Sequence, residues 1–173
     1  MEKTNIPLNP VTAQNQLSTQ NILGWREWVA LPDLGIPAIK AKIDTGAKTS
    51  ALHAFRIESF RKNGRDFIRF WLHPLRKKQD IELVCEAPVL QKRTVRDSGG
   101  HTEERYIIET SVNIGARKWT IELSLTSRED MMFRMLLGRS AIIEGGFIID
   151  PTISYITGRS LARSYKEHKK TAK

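Results

Sequence analysis

Asp44, Thr45 and Gly46 close a run of alternating residues in AKIDTGAKTSALHA, residues 41–54. The run reads as a strand that carries a carboxylate to its tip and then turns on a glycine. Thr45 can fix such a turn through its hydroxyl, and Gly46 lets backbone approach closely. One carboxylate held this way has limited catalytic use. Two facing carboxylates are different, because close like charges do not both ionise easily and so share a proton. The ionised member takes a proton from water while the protonated member polarises a carbonyl. That is peptide-bond hydrolysis with no metal and no covalent intermediate. The chain holds a single Asp-Thr-Gly. A second copy must then come from a second subunit across a two-fold axis, so this chemistry and a homodimer are expected together.

The elements around the motif are short and extended. Ile39, Ala41 and Ile43 alternate with Lys40 and Lys42, the pattern of a strand with one buried face. LPDLG before it supplies a turn. FRIESF and DFIRFWL flank Asn63-Gly64, a pair that tolerates the positive φ of a type I′ turn and predicts a hairpin. IELVCEAPVLQKRTVR reads as a further strand pair bent at Pro88, and DSGGHTEE as a second turn. RYIIETSVNI and RKWTIELSLT flank Gly-Ala as another hairpin, and FRMLLG is a short buried strand. RSAII starts a brief helix that Gly145-Gly146 ends, and FIIDPTISYI is a last strand interrupted by Pro151. Many short strands with frequent turns and very little helix predict an all-β barrel or sandwich. Three stretches are expected: a polar flexible arm over 1–20, one domain over 21–158, and a basic tail over 159–173.

Bulk composition narrows the function classes. The chain has 173 residues, 40% hydrophobic and 27% charged, which fits one ordinary core. No apolar run approaches membrane-spanning length, and the first residues lack a signal-peptide core, so a cytoplasmic protein without a membrane partner is expected. Cys85 is the only cysteine, which excludes an intramolecular disulfide and an all-cysteine metal site within one chain. The net charge of +9 favours an acidic partner: nucleic acid, an acidic peptide or an anionic surface.

With these residues in place, the chain resembles the retropepsin-like aspartic peptidases. IDTGA, residues 43–47, matches the catalytic loop, and MLLGRSAI, residues 135–142, resembles the apolar Gly-Arg segment that passes behind it. GWREWVALPDLGIPAIKAKIDTGAKTSALHA, SGGHTEERY and FRMLLGRSAI together look like a bacterial and archaeal subfamily. Its members often carry the label "ATP-dependent zinc protease" and are linked by name to a ribosomal-protein glutamate ligase. The resemblance implies a closed retropepsin-like barrel and a homodimeric endopeptidase in which Asp44 from each subunit activates the water. It implies that Thr45 braces the dyad and that Gly46 gives backbone access. It places Gly99, Gly100 and His101 in a mobile flap, and Leu136, Leu137 and Gly138 behind the loop.

There are departures. The stretch from Ala54 to Leu90 is longer than the corresponding link in viral enzymes. Lys48 stands where many viral members carry an acid that pairs with the Gly-Arg arginine. Lys48 and Arg139 are then expected to face the substrate, and a site rimmed by Lys42, Lys48 and Arg139 suits an acidic or glutamate-rich peptide.

Other classes remain open on the residues alone. No His-Glu-x-x-His motif and no close histidine pair supports zinc, so no metal and no cofactor is expected, though His53, His101, Cys85 and a carboxylate could converge in space. No Gly-rich phosphate loop supports ATP binding. His53 reads as a hydrogen-bonded structural residue or a polar group near the loop, and His101 as a turn residue or a substrate contact. Trp25, Trp28 and Trp71 read as core or interface bulk rather than base-stacking platforms. Scattered basic residues without a recognisable motif make nucleic acid the weaker partner. A non-catalytic barrel that binds peptide is a third reading.

Overall fold

A computed structural model describes residues 21–127 and 131–166. The expected arm over 1–20, the far end of the tail and His168 lie outside the described residues. Twelve strands, one six-residue α-helix and short 3-10 turns make up the described secondary structure. Among the described residues, no helix is long and apolar enough to cross a membrane.

The chain enters through β1 (Ile22–Leu23) and β2 (Arg26–Leu31). Pro32–Leu34 makes a tight 3-10 turn, ended by Gly35 in the left-handed region at φ +67°. β3 (Ile36–Asp44) then runs back antiparallel to β2, with Ile39, Ala41 and Ile43 buried and Lys40 and Lys42 exposed, as its alternation predicts. β4 (Ser50–His53) follows the motif loop.

β5 (Arg56–Lys62) and β6 (Arg65–Leu72) form the expected hairpin. Its two turn residues, Asn63 and Gly64, both have positive φ, at 50° and 75°. β7 (Leu83–Pro88) adds to β6 as an edge strand, where Pro88 costs no ladder bond. β8 (Gln91–Arg96) pairs instead with β9 (Thr102–Ile114). The expected strand pair over 81–96 is therefore two strands in two different sheets. The switch occurs between Val89, whose N–H donates to Asp66, and Leu90, whose N–H donates to Ile107. Pro88 marks the bend, but the partners on each side are set by long-range packing.

β9 and β10 (Arg117–Thr126) form the second expected hairpin, in full antiparallel register around Gly115 at φ +57°. β11 (Met135–Gly138) lies between β3, to which it is parallel, and β4, to which it is antiparallel. α1 (Arg139–Glu144) follows directly and stops at Gly145. Gly146, at φ +69°, turns the chain away. The expected last strand shrinks to β12 (Ile148–Ile149), parallel to β1. Beyond it the chain is held by side-chain and turn contacts. The buried Glu27 carboxylate accepts from the N–H groups of Gly24, Ile156 and Thr157 and from the Thr157 hydroxyl. The described part of the expected tail is docked: Tyr165 is buried against Trp28 and Ala38, and its hydroxyl donates to the Ala38 carbonyl.

The pairings β10–β4–β11–β3–β2–β9 return to β10 and so form a ring of six strands. The β2–β9 link is one residue pair, Ala30 with Asn113. The inserted β5–β6–β7 sheet shares the ring's core: Ile68, Phe70, Leu72, Cys85 and Ala87 pack in one cluster with Ile39, Ile43, Leu123 and Leu137. Its apolar face has nowhere else to leave water, which is why the long link folds onto the ring instead of extending as a loop.

Candidate active site

Asp44 is the last residue of β3, opposite Gly138 in the parallel ladder with β11. The strand's period of two places Lys40, Lys42 and Asp44 on one face. Just past the strand the chain turns under the carboxylate. Asp44 Oδ1 accepts from the backbone N–H of Gly46 at 3.0 Å and of Ala47 at 3.3 Å. A Cβ on residue 46 would lie 3.2 Å from that oxygen, so glycine lets the loop close on its own aspartate. Asp44 Oδ2 has no hydrogen-bond partner among the described residues.

The Gly-Arg segment is hydrogen-bonded to the loop. Arg139 N–H donates to Ala47 O at 2.7 Å and Ser140 N–H to Lys48 O at 3.1 Å. These are first-turn donors of α1, which have no partner within the helix. Arg139 Nη1 donates to Thr45 O at 2.9 Å. The guanidinium thus holds the loop through a carbonyl, while the exposed Lys48 stands where viral members carry the acid. Gly138 is required by contact, since a Cβ there would come within 2.6 Å of the Thr49 carbonyl carbon. Its N–H donates to Ser50 Oγ at 2.9 Å, and Ser50 O accepts from Ser124 Oγ at 3.0 Å. Both serines are buried.

Asp44 opens on a cleft of about 730 Å³. Gly46, Lys48, Leu136 and Arg139 share its floor with Asp44. Val95 to Ser98, where β8 leads into its turn, and Arg105 on β9 supply the facing wall. The cleft is cationic overall, with Lys48, Arg96, Arg105 and Arg139 against Asp44 and Asp97. Arg105 is largely buried, and its Nε donates to Glu103 at 2.9 Å.

The structure brings Asp44, Gly46, Lys48 and Arg139 to one cleft. It does not bring Gly99, Gly100 and His101 there. They form the outer tip of the β8–β9 hairpin, with Gly100 at φ +82° and the His101 side chain 85% exposed. The tip is stapled by Asp97, whose Oδ1 accepts from the His101 N–H at 2.9 Å. Thr45 is exposed. Three residues that matter to this geometry were not singled out from the sequence: Ser50, Ser124 and Arg105. The one available signal was the charge-dense HTEERY after Gly99 and Gly100.

The zinc label fits poorly with the donors present. Among the described residues, no three of His, Cys, Asp or Glu converge on a metal position. His53 is buried on β4, His73 stacks on Phe55, and His101 lies at the exposed tip. Cys85 is buried in the core, and burial pushes its thiol up to about 12.

A family profile described as "Retropepsin-like aspartic endopeptidase RimB" matches residues 22–160. The chain belongs to this RimB-like family. Curated relatives include a probable alpha-L-glutamate ligase of Desulfotalea psychrophila, 42% identical over 84% of this chain and 32% of its own length. One of Parasynechococcus marenigrum is 46% identical over 79% of this chain and 29% of its own length. The chain therefore spans about a third of the length of the curated relatives it matches. A crystal structure of a Legionella pneumophila protein of unknown function superposes with a TM-score of 0.66 at 29% identity, covering 79% of this chain and 97% of that one. The strand-borne Asp-Thr-Gly loop and the Gly-Arg segment behind it are the features by which the RimB-like chain was legible.

Proposed function

We propose that this chain is an aspartic endopeptidase of the retropepsin type, active as a homodimer, and that residues 21–158 carry the site. The ring of six strands is read as the closed barrel of that family. The observation that carries the reading is the state of Asp44: one carboxylate oxygen is fixed by its own loop, and the residue lines a cleft large enough for a peptide.

In the dimer, Asp44 of each subunit faces a shared water. The ionised carboxylate takes a proton from it as the oxygen attacks the scissile carbonyl carbon. The protonated carboxyl donates to the carbonyl oxygen, which becomes the second hydroxyl of a tetrahedral diol. Collapse breaks the C–N bond, and the nitrogen leaves with a proton from the dyad. Thr45 braces the pair and Gly46 admits the substrate backbone. Lys48 and Arg139 rim the cleft, and the β8–β9 hairpin, with Gly99, Gly100 and His101 at its tip, closes over it as a flap.

The substrate class is acidic peptide, with glutamate-rich tails the leading case. The cationic cleft supports this. So does the presence of a homologous segment inside proteins named as probable glutamate ligases. A cytoplasmic site of action fits the single cysteine.

The test compares wild type with Asp44→Asn on glutamate-rich and neutral peptides of equal length, at low and high salt. Wild type cleaves the acidic peptide faster, the advantage shrinks with salt, and Asp44→Asn loses cleavage while keeping its fold by circular dichroism. Retained cleavage in Asp44→Asn, or loss with a chelator and recovery with zinc, overturns the mechanism. Equal turnover of both peptides with no salt effect removes the acidic preference.

A further inference from the structure

A second cleft, of about 470 Å³, opens beside Met132, Phe133 and Arg134. Met131 lines the Asp44 cleft, whereas Met132, Phe133 and Arg134 line this one. Six cations border it: Arg26, Lys40, Arg76, Lys77, Lys78 and Arg134. Among the described residues, no carboxylate lines it, and none of the six makes an ion pair. Asp80 and Glu82, the acids nearest in the chain to Lys77 and Lys78, are not in its wall. The Nε atoms of Arg26 and Arg134 are buried and have no hydrogen-bond partner among the described residues.

Two of these cations, Arg26 and Lys40, are held in place by aromatic rings, and Arg159 beside the cleft shares one of them. Arg26 lies over Trp25 at 4.5 Å and over Tyr155 at 4.9 Å. Lys40 lies over Trp28 at 5.3 Å and over Tyr155 at 5.8 Å. Arg159 is 4.6 Å from the same tyrosine ring. Tyr155 sits at φ +56°, a conformation costly for a residue with a Cβ, and its N–H donates to the Arg26 carbonyl. Ring faces lower the repulsion among three neighbouring cations without neutralising them. Such a preordered positive cluster is suited to a multivalent anion, because guanidinium forks bind carboxylates two bonds at a time.

We propose that this cleft is a second binding site, for a carboxylate-rich segment of the polypeptide whose cleavage is proposed at Asp44. The proposal rests on that reading for the identity of the ligand. The path between the two sites favours it. Lys40, Lys42 and Asp44 share one face of β3, and Arg26 stands opposite Lys42 on β2. From Lys40 to Asp44 is about 13 Å along the strand, the reach of roughly four extended residues. An acidic chain seated on Arg26, Lys40 and Arg134 passes Lys42 and delivers a bond to Asp44. Nucleic acid fits less well, since the faces of Trp25, Trp28 and Tyr155 are already covered by cations and are not open for bases to stack.

The test uses the full chain with Asp44→Asn, so that binding is read without turnover. A fluorescein-labelled octaglutamate peptide is titrated and followed by anisotropy. Lys40→Glu, Lys77→Glu and Lys78→Glu are combined in this background, all three being exposed. The control reverses three exposed cations elsewhere, Lys62→Glu, Arg65→Glu and Lys118→Glu, for the same net charge. The cleft variant loses about tenfold or more in affinity and the control about threefold or less. Equal losses overturn the site, because bulk charge then accounts for binding. A single-stranded RNA of matched charge that binds more tightly and is lost with the same variant also overturns it, as does a change of oligomeric state in the cleft variant. Failure of cleavage by the Asp44 protein with selective octaglutamate binding intact would refute the peptidase reading and leave this site standing. Cleavage without selective binding would do the reverse.

Discussion

Ser50 accepts a hydrogen bond from the Gly138 N–H, and its carbonyl accepts one from Ser124, at a point where the motif loop meets β11. Removing the hydroxyl leaves a buried N–H without its acceptor, which costs about 1–3 kcal/mol. It also frees the segment that fixes the Asp44 loop. Ser50→Ala is therefore expected to lower the melting temperature and to cut kcat by about ten- to a hundredfold, with a smaller effect on KM, since misplacement of reacting groups acts on the chemical step. Unchanged kcat in a destabilised variant would separate the loop's position from this bond. Neither serine was legible as a support, because burial of a small polar residue depends on which strands meet there. Asp44 and Gly46 were legible because their types carry the geometry themselves, and Gly138 because its segment resembles one in the family. Cys85 gives a second residue-level expectation. Its folded thiol is held up to about 12 by burial, against an ordinary value of 9.0. The unfolded thiol ionises first as pH rises, so this group's contribution is fully present below pH 9 and is lost between about 9 and 12. At pH 8, iodoacetamide should leave the native protein unlabelled and modify Cys85 fully in denaturant. Rapid native labelling would show the core open at β7.

The two hairpins predicted from their turns formed as predicted, because an Asn-Gly or Gly-Ala turn specifies its geometry within two residues. Pairings between distant strands did not show in advance. The parallel contacts of β3 with β11 and of β4 with β10 leave no local mark, and neither does the change of sheet after Pro88. The inserted β5–β6–β7 sheet packs on the ring, yet none of its strands lines the Asp44 cleft. Stability and catalysis should therefore separate there. Gly64 sits at φ +75° with open space around its Cβ position, so Gly64→Ala meets a conformational cost and no clash. The expected loss is about 1 kcal/mol, or roughly 2–4 °C in melting temperature, with kcat/KM unchanged below the transition. A fall in kcat/KM without a matching fall in stability would tie this sheet to the substrate path.

For the whole molecule, the proposed dyad has one consequence: with one Asp-Thr-Gly per chain, activity is expected only of pairs of chains. On that proposal a single subunit offers one carboxylate and half of a proton-sharing dyad, so folded monomers are expected to be inactive. Specific activity must then fall on dilution through the dimer dissociation constant. A mixing experiment is sharper. If wild type and Asp44→Asn exchange freely in equal amounts, about one quarter of the dimers carry two aspartates and about half carry one. Activity per total protein should drop to about a quarter of the all-wild-type value if both carboxylates are needed, and to about a half if each subunit acts alone. The asparagine side chain keeps the size and the acceptor oxygen that the Gly46 and Ala47 N–H groups use, so the mixed dimer retains its loop geometry and loses only the ionisable group. A result near one half, with exchange verified by a labelled subunit, would show that the hydrolytic centre lies within one chain and would sink the shared dyad while leaving the fold and the cationic clefts untouched.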